Sequence, residues 1–297
     1  MQSLAEIREI LVSRGLSPGK QFGNNFLLDQ NLIRILVDAA GVGAGDVVLE
    51  VGPGTGTLTD ELVARGCVVV AAEIDRGLCA HLRERYAPFG ERFVLVEGDC
   101  LEGKRTLAPA LAAAIEGAIE GGVGRDGRRE FVLVSNLPYG AGTGVMTTLL
   151  AEWAGVNGGV ACRGMFVTIQ REVGDRLLAK PGSKEFGPVG ILAQRVALVE
   201  RVAVLPGECF WPRPDVTSVM MSIRRRVGTE ELDARGLFDF AQMILGKRRK
   251  QLGSVLGRGF MMPIEIDPTR RAEDLSLEEM EALWRAWEAA GGRSGES

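Results

Sequence analysis

Two stretches of this chain hold groups that chemistry could use. The first is Asn136-Leu137-Pro138-Tyr139, directly behind the apolar run "EFVLVS". It sets a carboxamide, a rigid backbone carbonyl and an aromatic ring side by side. Proline fixes its own φ and has no N–H to compete for an acceptor. The exocyclic amine of adenine or guanine is a poor nucleophile, because its lone pair is delocalised into the ring. If Asn136 offers its side-chain oxygen and Leu137 or Pro138 a backbone carbonyl, both amine hydrogens are held. The nitrogen can then be drawn towards tetrahedral geometry with its lone pair aimed at an electrophile. Tyr139 supplies a stacking face for a base taken out of its helix. A strand-end turn with no chemical role could carry the same four residues.

The second stretch, "VVLEVGPGTGTLT", puts Gly52, Gly54 and Gly56 between a strand-like run and a helix-like one. Glycines let the backbone turn tightly and approach a ligand closely. Glu50 precedes them, and Glu73 ends the next apolar run about 20 residues on, where a carboxylate can hold a ribose diol. Dinucleotide sites use G-x-G-x-x-G to aim helix N–H groups at a pyrophosphate. Here the third glycine comes one residue early, and an acidic residue lies where phosphate would be unwelcome. The pattern fits S-adenosyl-L-methionine better than NAD. Asp99, in "VLVEGDC", is placed to bind the exocyclic amine of the cofactor's adenine, or equally to cap the next helix. A sulfonium methyl is already activated, so no metal is expected and positioning does most of the work. His81, in "CAHLRERY", reads as a surface or interface histidine, and Cys100 as a packed small side chain.

The elements that must position these groups follow a clear rhythm. "DVVLEVG", "CVVVAAEI", "RFVLVEGD", "EFVLVSN" and "GMFVTIQ" are short, Val-rich and bounded by Gly or polar residues. Continuous apolar runs of this kind suit strands covered on both faces. Helical patterns such as "GTLTDELVARG" and "DRGLCAHLRERY" lie between them, as crossovers require. The expectation is an α/β fold, a doubly wound, mostly parallel Rossmann-like sheet. Residues 102–130 depart from the rhythm and read as a short helix followed by a polar loop. The N-terminus reads as an amphipathic helix opened by a capping box of Ser3 and Glu6, and Ser276 with Glu279 forms another. The pattern turns helical after "VTSVMMSIRRR". The expected domains are therefore 1–228, with a cofactor-gating segment at 1–30, and a small helical domain at 229–297.

Nearly half of the 297 residues are hydrophobic and a quarter are charged, the balance of a soluble globular protein. No apolar stretch is long enough to span a membrane. The five cysteines are scattered and never in C-x-x-C spacing, which argues against a disulfide framework or zinc site and for the cytoplasm. A net charge of −4 does not by itself suggest nucleic acid. Two clusters stand out against it: Arg224, Arg225 and Arg226, and then Lys247, Arg248, Arg249 and Lys250. Taken alone, either reads as a solvated face or an anion-binding one.

Over nearly its whole length the chain resembles the ribosomal RNA adenine dimethyltransferases. "FGNNFLLD", "LEVGPGTGTLT", "EID", "EGDC" and "NLPY" come in that family's order. The later stretches "QREVGDRLLAKPGSKEFGPVGILAQ", "FWPRPDVTSVMMSI" and "FAQMILGKRRKQL" are more specific. The resemblance implies that Asn25, Leu27, Gly52, Gly54, Glu73, Asp99 and Asn136 bind S-adenosyl-L-methionine. Residues 136–139 would hold the target adenine, and Phe210 would stack on its other face. Lys247, Arg248, Arg249 and Lys250 would form a basic helix along RNA phosphates. The implied substrate is a pair of adjacent adenines in a hairpin loop near the 3′ end of small-subunit rRNA, met in an assembling small ribosomal subunit by a monomeric enzyme. The chain departs from the family in three places. Gly23-Asn24 stands where the family has Gly-Gln, a looser "GAGTGV" follows NLPY, and residues 102–130 form a longer segment. Two other functions share the fold: a resistance-type methylase of large-subunit rRNA, and a non-catalytic RNA-binding assembly or transcription factor.

Overall fold

The computed structural model describes residues 2–16, 25–103, 105–123, 129–152, 160–229, 232–257 and 259–292. The Val-rich runs form strands, since branched side chains pack well on a pleated surface. In chain order the strands are β1 (Phe26–Leu27), β2 (Val47–Val51), β3 (Val68–Glu73), β4 (Phe93–Glu97), β5 (Leu101–Glu102) and β6 (Thr106–Leu107). They continue with β7 (Glu130–Asn136), β8 (Ala161–Gln170), β9 (Ala197–Leu205), β10 (Phe210–Trp211) and β11 (Ser218–Arg225).

Seven strands make one sheet in the order β4-β3-β2-β7-β8-β11-β9. The five from β4 to β8 are parallel, and β11 runs antiparallel to β8. The expected doubly wound fold is present. The chain builds outward from β2 to β4, then returns to the other side of β2 to lay down β7 and β8. Such a reversal opens a crevice at the carboxyl ends of the two strands that flank it, here β2 and β7. Strand β9, with its alternating exposure along an edge of the sheet, is not evident from the sequence.

The register aligns the strand ends. Gly52 N donates to Ala72 O at 2.8 Å, and Ser135 Oγ donates to Val51 O at 2.7 Å. Gly98 N donates to Glu73 O at 2.8 Å. Asp99, Glu73, Gly52 and Asn136 therefore follow one another along the carboxyl rim of four neighbouring strands. At about 4.8 Å per strand the row spans roughly 14 Å, room for a nucleoside with an amino-acid tail.

The helices are α1 (Leu4–Ser13), α2 (Gln30–Ala40), α3 (Thr57–Ala64), α4 (Arg76–Tyr86), α5 (Pro109–Ala118) and α6 (Gly142–Glu152). After them come α7 (Arg171–Leu177), α8 (Pro188–Val196), α9 (Ala234–Leu245), α10 (Leu252–Leu256) and α11 (Leu277–Ala289). Both expected capping boxes, at Ser3 and Ser276, are formed. Leu36 and Val37 of α2, Leu62 of α3 and Leu82 of α4 share one buried cluster with Val48, Val69 and Val132 of the sheet. The 102–130 stretch holds the β5–β6 hairpin and α5, as expected for a short helix. Residues 124–128 of the expected polar loop lie outside the described residues. So do residues 17–24 of the expected cofactor-gating segment, Gly23 and Asn24 included.

The chain divides into two compact units. One comprises Met1–Leu149, Val156–Gly174 and Glu200–Arg224, and the other Leu150–Gly155, Asp175–Val199 and Arg225–Ser297. The second unit thus takes in residues 175–199, upstream of the boundary expected at 229. Its core explains the grouping: Ile191 and Leu192 of α8, Leu237 and Phe240 of α9, and Met280 and Leu283 of α11 are buried where these helices pack.

A candidate active site at the carboxyl ends of the strands

The turn between β2 and α3 needs its glycines for shape and closeness. Gly52, Gly54 and Gly56 have φ of 69°, 61° and 92°, a region costly for other residues. A Cβ at Gly52 would stand 2.7 Å from Pro138 Cγ, and one at Gly54 2.8 Å from Phe26 Cε1. The turn is fastened from behind. Tyr86 Oη lies 2.8 Å from Gly56 O and 2.7 Å from Asp60 Oδ1, and Arg85 pairs with both oxygens of Asp60. Gln2 Nε2 donates to Thr55 O at 2.6 Å. His81 Nε2 lies 3.3 Å from the same carbonyl. His81, expected at the surface or an interface, sits instead on the buried face of α4 with Leu78 and Leu82.

Two carboxyl groups flank the turn. Glu73 is buried, and it accepts from the backbone N–H of Gly54 at 3.2 Å and of Ile74 and Asp75 at 2.9 Å. Burial raises its pKa above the ordinary carboxylate value, opposed by those three donors. Glu50, only 2% exposed, accepts from Thr59 Oγ1 at 2.7 Å. Burial pushes it up to about 8, helped by the nearby charges of Asp60 and Glu73.

The NLPY segment is set at the same rim by β7. Asn136 Nδ2 donates to Asn25 O at 2.9 Å. A carbonyl can only accept, so this contact fixes which way the amide points. Oδ1 is then the atom of Asn136 left for a ligand's N–H. Pro138 O already accepts from Ala141 N at 3.1 Å and Gly142 N at 2.9 Å, which uses both its lone pairs. Leu137 O carries no such turn contact among the described residues, so of the two carbonyls it is the one able to hold an amine. The looser loop expected after NLPY is corrected too. These bonds carry the chain directly into α6, and Gly142 and Gly144 allow close approach to Leu137 and Leu101. Tyr139 is half-buried, with its Oη 2.9 Å from Ser218 Oγ.

One cleft is lined by Asn25, Leu27, Gly52 and Gly54 together with Asn136, Leu137, Pro138 and Tyr139. Phe26, Glu50 and Thr57 also line it. The sequence motifs give none of these three a binding role, although Glu50 stands out beside the glycine turn. Glu73 stands behind the lining, bonded to Gly54. Asp99 is exposed at the end of β4, where it accepts from Leu101 N at 3.0 Å and so closes its own turn. Phe210 pairs with Leu27 between β10 and β1, and it is buried in the core instead of lining the cleft. Cys100 is packed as expected, its thiol pushed up to about 12 by burial. No cluster of potential metal ligands occurs among the described residues.

In the second unit, residues 247–250 form a turn after α9, not the expected basic helix. Gly246 ends α9, and the N–H groups of Lys247, Arg248 and Lys250 bond three residues back. Lys247, Arg249 and Lys250 are exposed. Arg248 differs: its Nε is 2.8 Å from Glu273 Oε2, and its Nη1 donates to Lys184 O at 3.3 Å. Gly182 N also donates to Glu273 O, at 2.7 Å, so Arg248 and Glu273 together dock the PGSKEFG loop. The other cluster is largely structural. Arg224 pairs with Glu200 and lies over Phe166, and Arg226 donates to Gln194 O and Ala197 O.

Comparison with known proteins shows the family. The family model of the ribosomal RNA adenine dimethylases matches residues 16–284. The chain belongs to that family. Ribosomal RNA small subunit methyltransferase A of Bifidobacterium adolescentis is 35% identical over 95% of this chain and 92% of its own length. Its counterpart in Moorella thermoacetica is also 35% identical, over 96% of each chain. A dimethyladenosine transferase from Plasmodium falciparum shares the fold with a TM-score of 0.67 at 18% identity, covering 90% of this chain and 98% of its own. The 23S rRNA methyltransferase ErmE does so with a TM-score of 0.58 at 21% identity, covering 89% of this chain and all of its own. This dimethylase is therefore an enzyme of rRNA, and its reaction calls for a methyl donor.

Proposed function

We propose that the chain uses S-adenosyl-L-methionine to dimethylate the 6-amino groups of two adjacent adenines in a hairpin loop near the 3′ end of small-subunit rRNA, within an assembling small ribosomal subunit. The observation that carries the reading is the fixed Asn136 amide, its nitrogen tied to Asn25 O and its oxygen left over, in a cleft that Asn136 and Leu137 both line.

The residues present fit the cofactor. Gly52 and Gly54 bring bare backbone to the cleft wall, where the methionine end would lie, with Pro138 and Phe26 packed against them, and Glu73 offers a carboxylate at ribose depth. Asp99 lies one strand further out, at adenine's distance. The cofactor would supply a methyl group already activated by its sulfonium. The protein's part is to hold the acceptor. Asn136 Oδ1 and Leu137 O take the two amine hydrogens and favour the localised lone pair, an interaction that strengthens as nitrogen turns tetrahedral. Tyr139 stacks on the base. After one methylation a single N–H remains, so one acceptor suffices for the second. Lys247, Arg249 and Lys250 would meet phosphates.

Transfer of labelled methyl groups to ribosomal particles isolated without dimethyladenine tests the reading. Label is expected in adjacent adenines of the small-subunit RNA. Label confined to large-subunit RNA would support the resistance-type enzyme instead. No label, with tight particle binding, would support a non-catalytic factor.

A further inference from the structure

We infer that Ser218 is a positioning residue for the acceptor base, acting through Tyr139. The inference rests on the proposed role of Tyr139 as the stacking face. Ser218 opens β11 and is completely buried, paired across the sheet with Gln170 of β8. Its neighbour Thr217 accepts from Arg171 N at 2.8 Å, which fixes the backbone where the strand begins. Ser218 Oγ lies 2.9 Å from Tyr139 Oη, although the two residues are 79 apart in sequence.

An aromatic ring held only at Cβ can turn about its two side-chain torsions. A bond at the far end removes that freedom and sets the plane of the ring. A stacking face serves catalysis only when it lies parallel to the base, so fixing the plane beforehand spares an ordering cost during capture. Burial alone does not explain the pairing. Ser222, four residues along the same strand and as deeply buried, has no hydrogen-bond partner among the described residues. The contact also explains the serine of "FWPRPDVTS", which reaches the aromatic residue of "NLPY" and ties β11 to the cleft.

A double-mutant cycle tests this. Ser218→Ala, Tyr139→Phe and the double variant are assayed by single-turnover methylation across a range of ribosomal particle concentrations, with cofactor affinity and melting temperature measured in parallel. Each single variant is expected to raise the half-saturating RNA concentration about fivefold, the loss of one neutral hydrogen bond. In Ser218→Ala the rate at saturation and the cofactor affinity should stay near wild type. The double variant should be no worse than either single one, and Ser218→Thr should restore most of the loss. Losses that multiply to about 25-fold would show independent roles and overturn the inference. If Ser218→Ala does not fold, Tyr139→Phe carries the test, and wild-type RNA dependence in it overturns the inference. Tyr139→Ala separates the underlying reading: unchanged RNA dependence there would remove Tyr139 as the stacking face, whatever the cycle shows.

Discussion

The cleft of the first unit and the cationic turn of the second are built in opposite ways. In the cleft nearly every polar group is committed before a ligand arrives: Asn136 to Asn25, Glu73 to three backbone N–H groups, Pro138 O to the start of α6. In the turn three of four cations are exposed, and Arg248 alone is tied down. The difference teaches what each region can do. A pre-bonded group has one orientation to offer, which suits a chemical step. Exposed cations can follow a phosphate backbone whatever its sequence, which suits affinity. Substitutions in the two regions should therefore fail in different measurements.

The largest change in cofactor binding is expected from Glu73→Ala. It removes the acceptor that holds Gly54 as well as the proposed ribose contact. Affinity for S-adenosyl-L-methionine should fall by more than the 0.5–1.5 kcal/mol or so of one neutral hydrogen bond. Calorimetry on a folded variant with unchanged affinity would take Glu73 out of the site.

Replacing Lys247, Arg249 and Lys250 together by Gln should leave cofactor affinity alone and weaken particle binding. The log–log salt slope should flatten by about 0.7–0.9 per lost contact. A slope equal to wild type would make the turn a solvated face.

Glu50 sharpens the contrast through pH. Its folded-state pKa of about 8 lies above the ordinary value of 4.5, so between those values the folded protein binds more protons than the unfolded chain. Its contribution to stability is complete below the lower value and is lost as pH rises towards the upper one, by at most about 1.4 kcal/mol per pH unit. Urea unfolding of Glu50→Gln should show a flatter decline across that window than wild type. Parallel curves would mean that Glu50 is ionised in the fold.

Arg248→Gln should have the smallest effect. Its ion pair with Glu273 is partly exposed, so the loss should stay below about 1 kcal/mol in thermal unfolding. The salt slope should remain that of wild type. A flattened slope would place Arg248 on RNA with its neighbours.

Much of this is legible in the sequence because parallel strands and glycine turns write themselves locally. All five Val-rich runs form strands, and the three glycines of the turn adopt left-handed backbone. What the sequence hides depends on distant partners. The exposed Leu198, Val202 and Val204 of β9 only make sense at a sheet edge. His81 looks like a surface residue until Thr55 O is found behind it. The choice between Leu137 O and Pro138 O is open in sequence, and only the fold shows that the N–H groups of Ala141 and Gly142 already occupy Pro138 O. Arg248 looks like Arg249 until the docked PGSKEFG loop separates them. The burial of Phe210 has no signal in its motif either, since its pairing with Leu27 is set by a segment far away in sequence.

The central claim is that Asn136, held by Asn25, presents its oxygen to the acceptor amine. Single-turnover methylation by Asn136→Ala at saturating RNA and cofactor tests it most directly. The methyl-transfer step should slow by about 2–4 kcal/mol in barrier height, the usual cost of losing one preorganised polar contact. Any accompanying loss of cofactor affinity drops out of a rate measured at saturation. A folded Asn136→Ala enzyme that methylates at the wild-type rate under these conditions would contradict the account and leave NLPY as a structural turn.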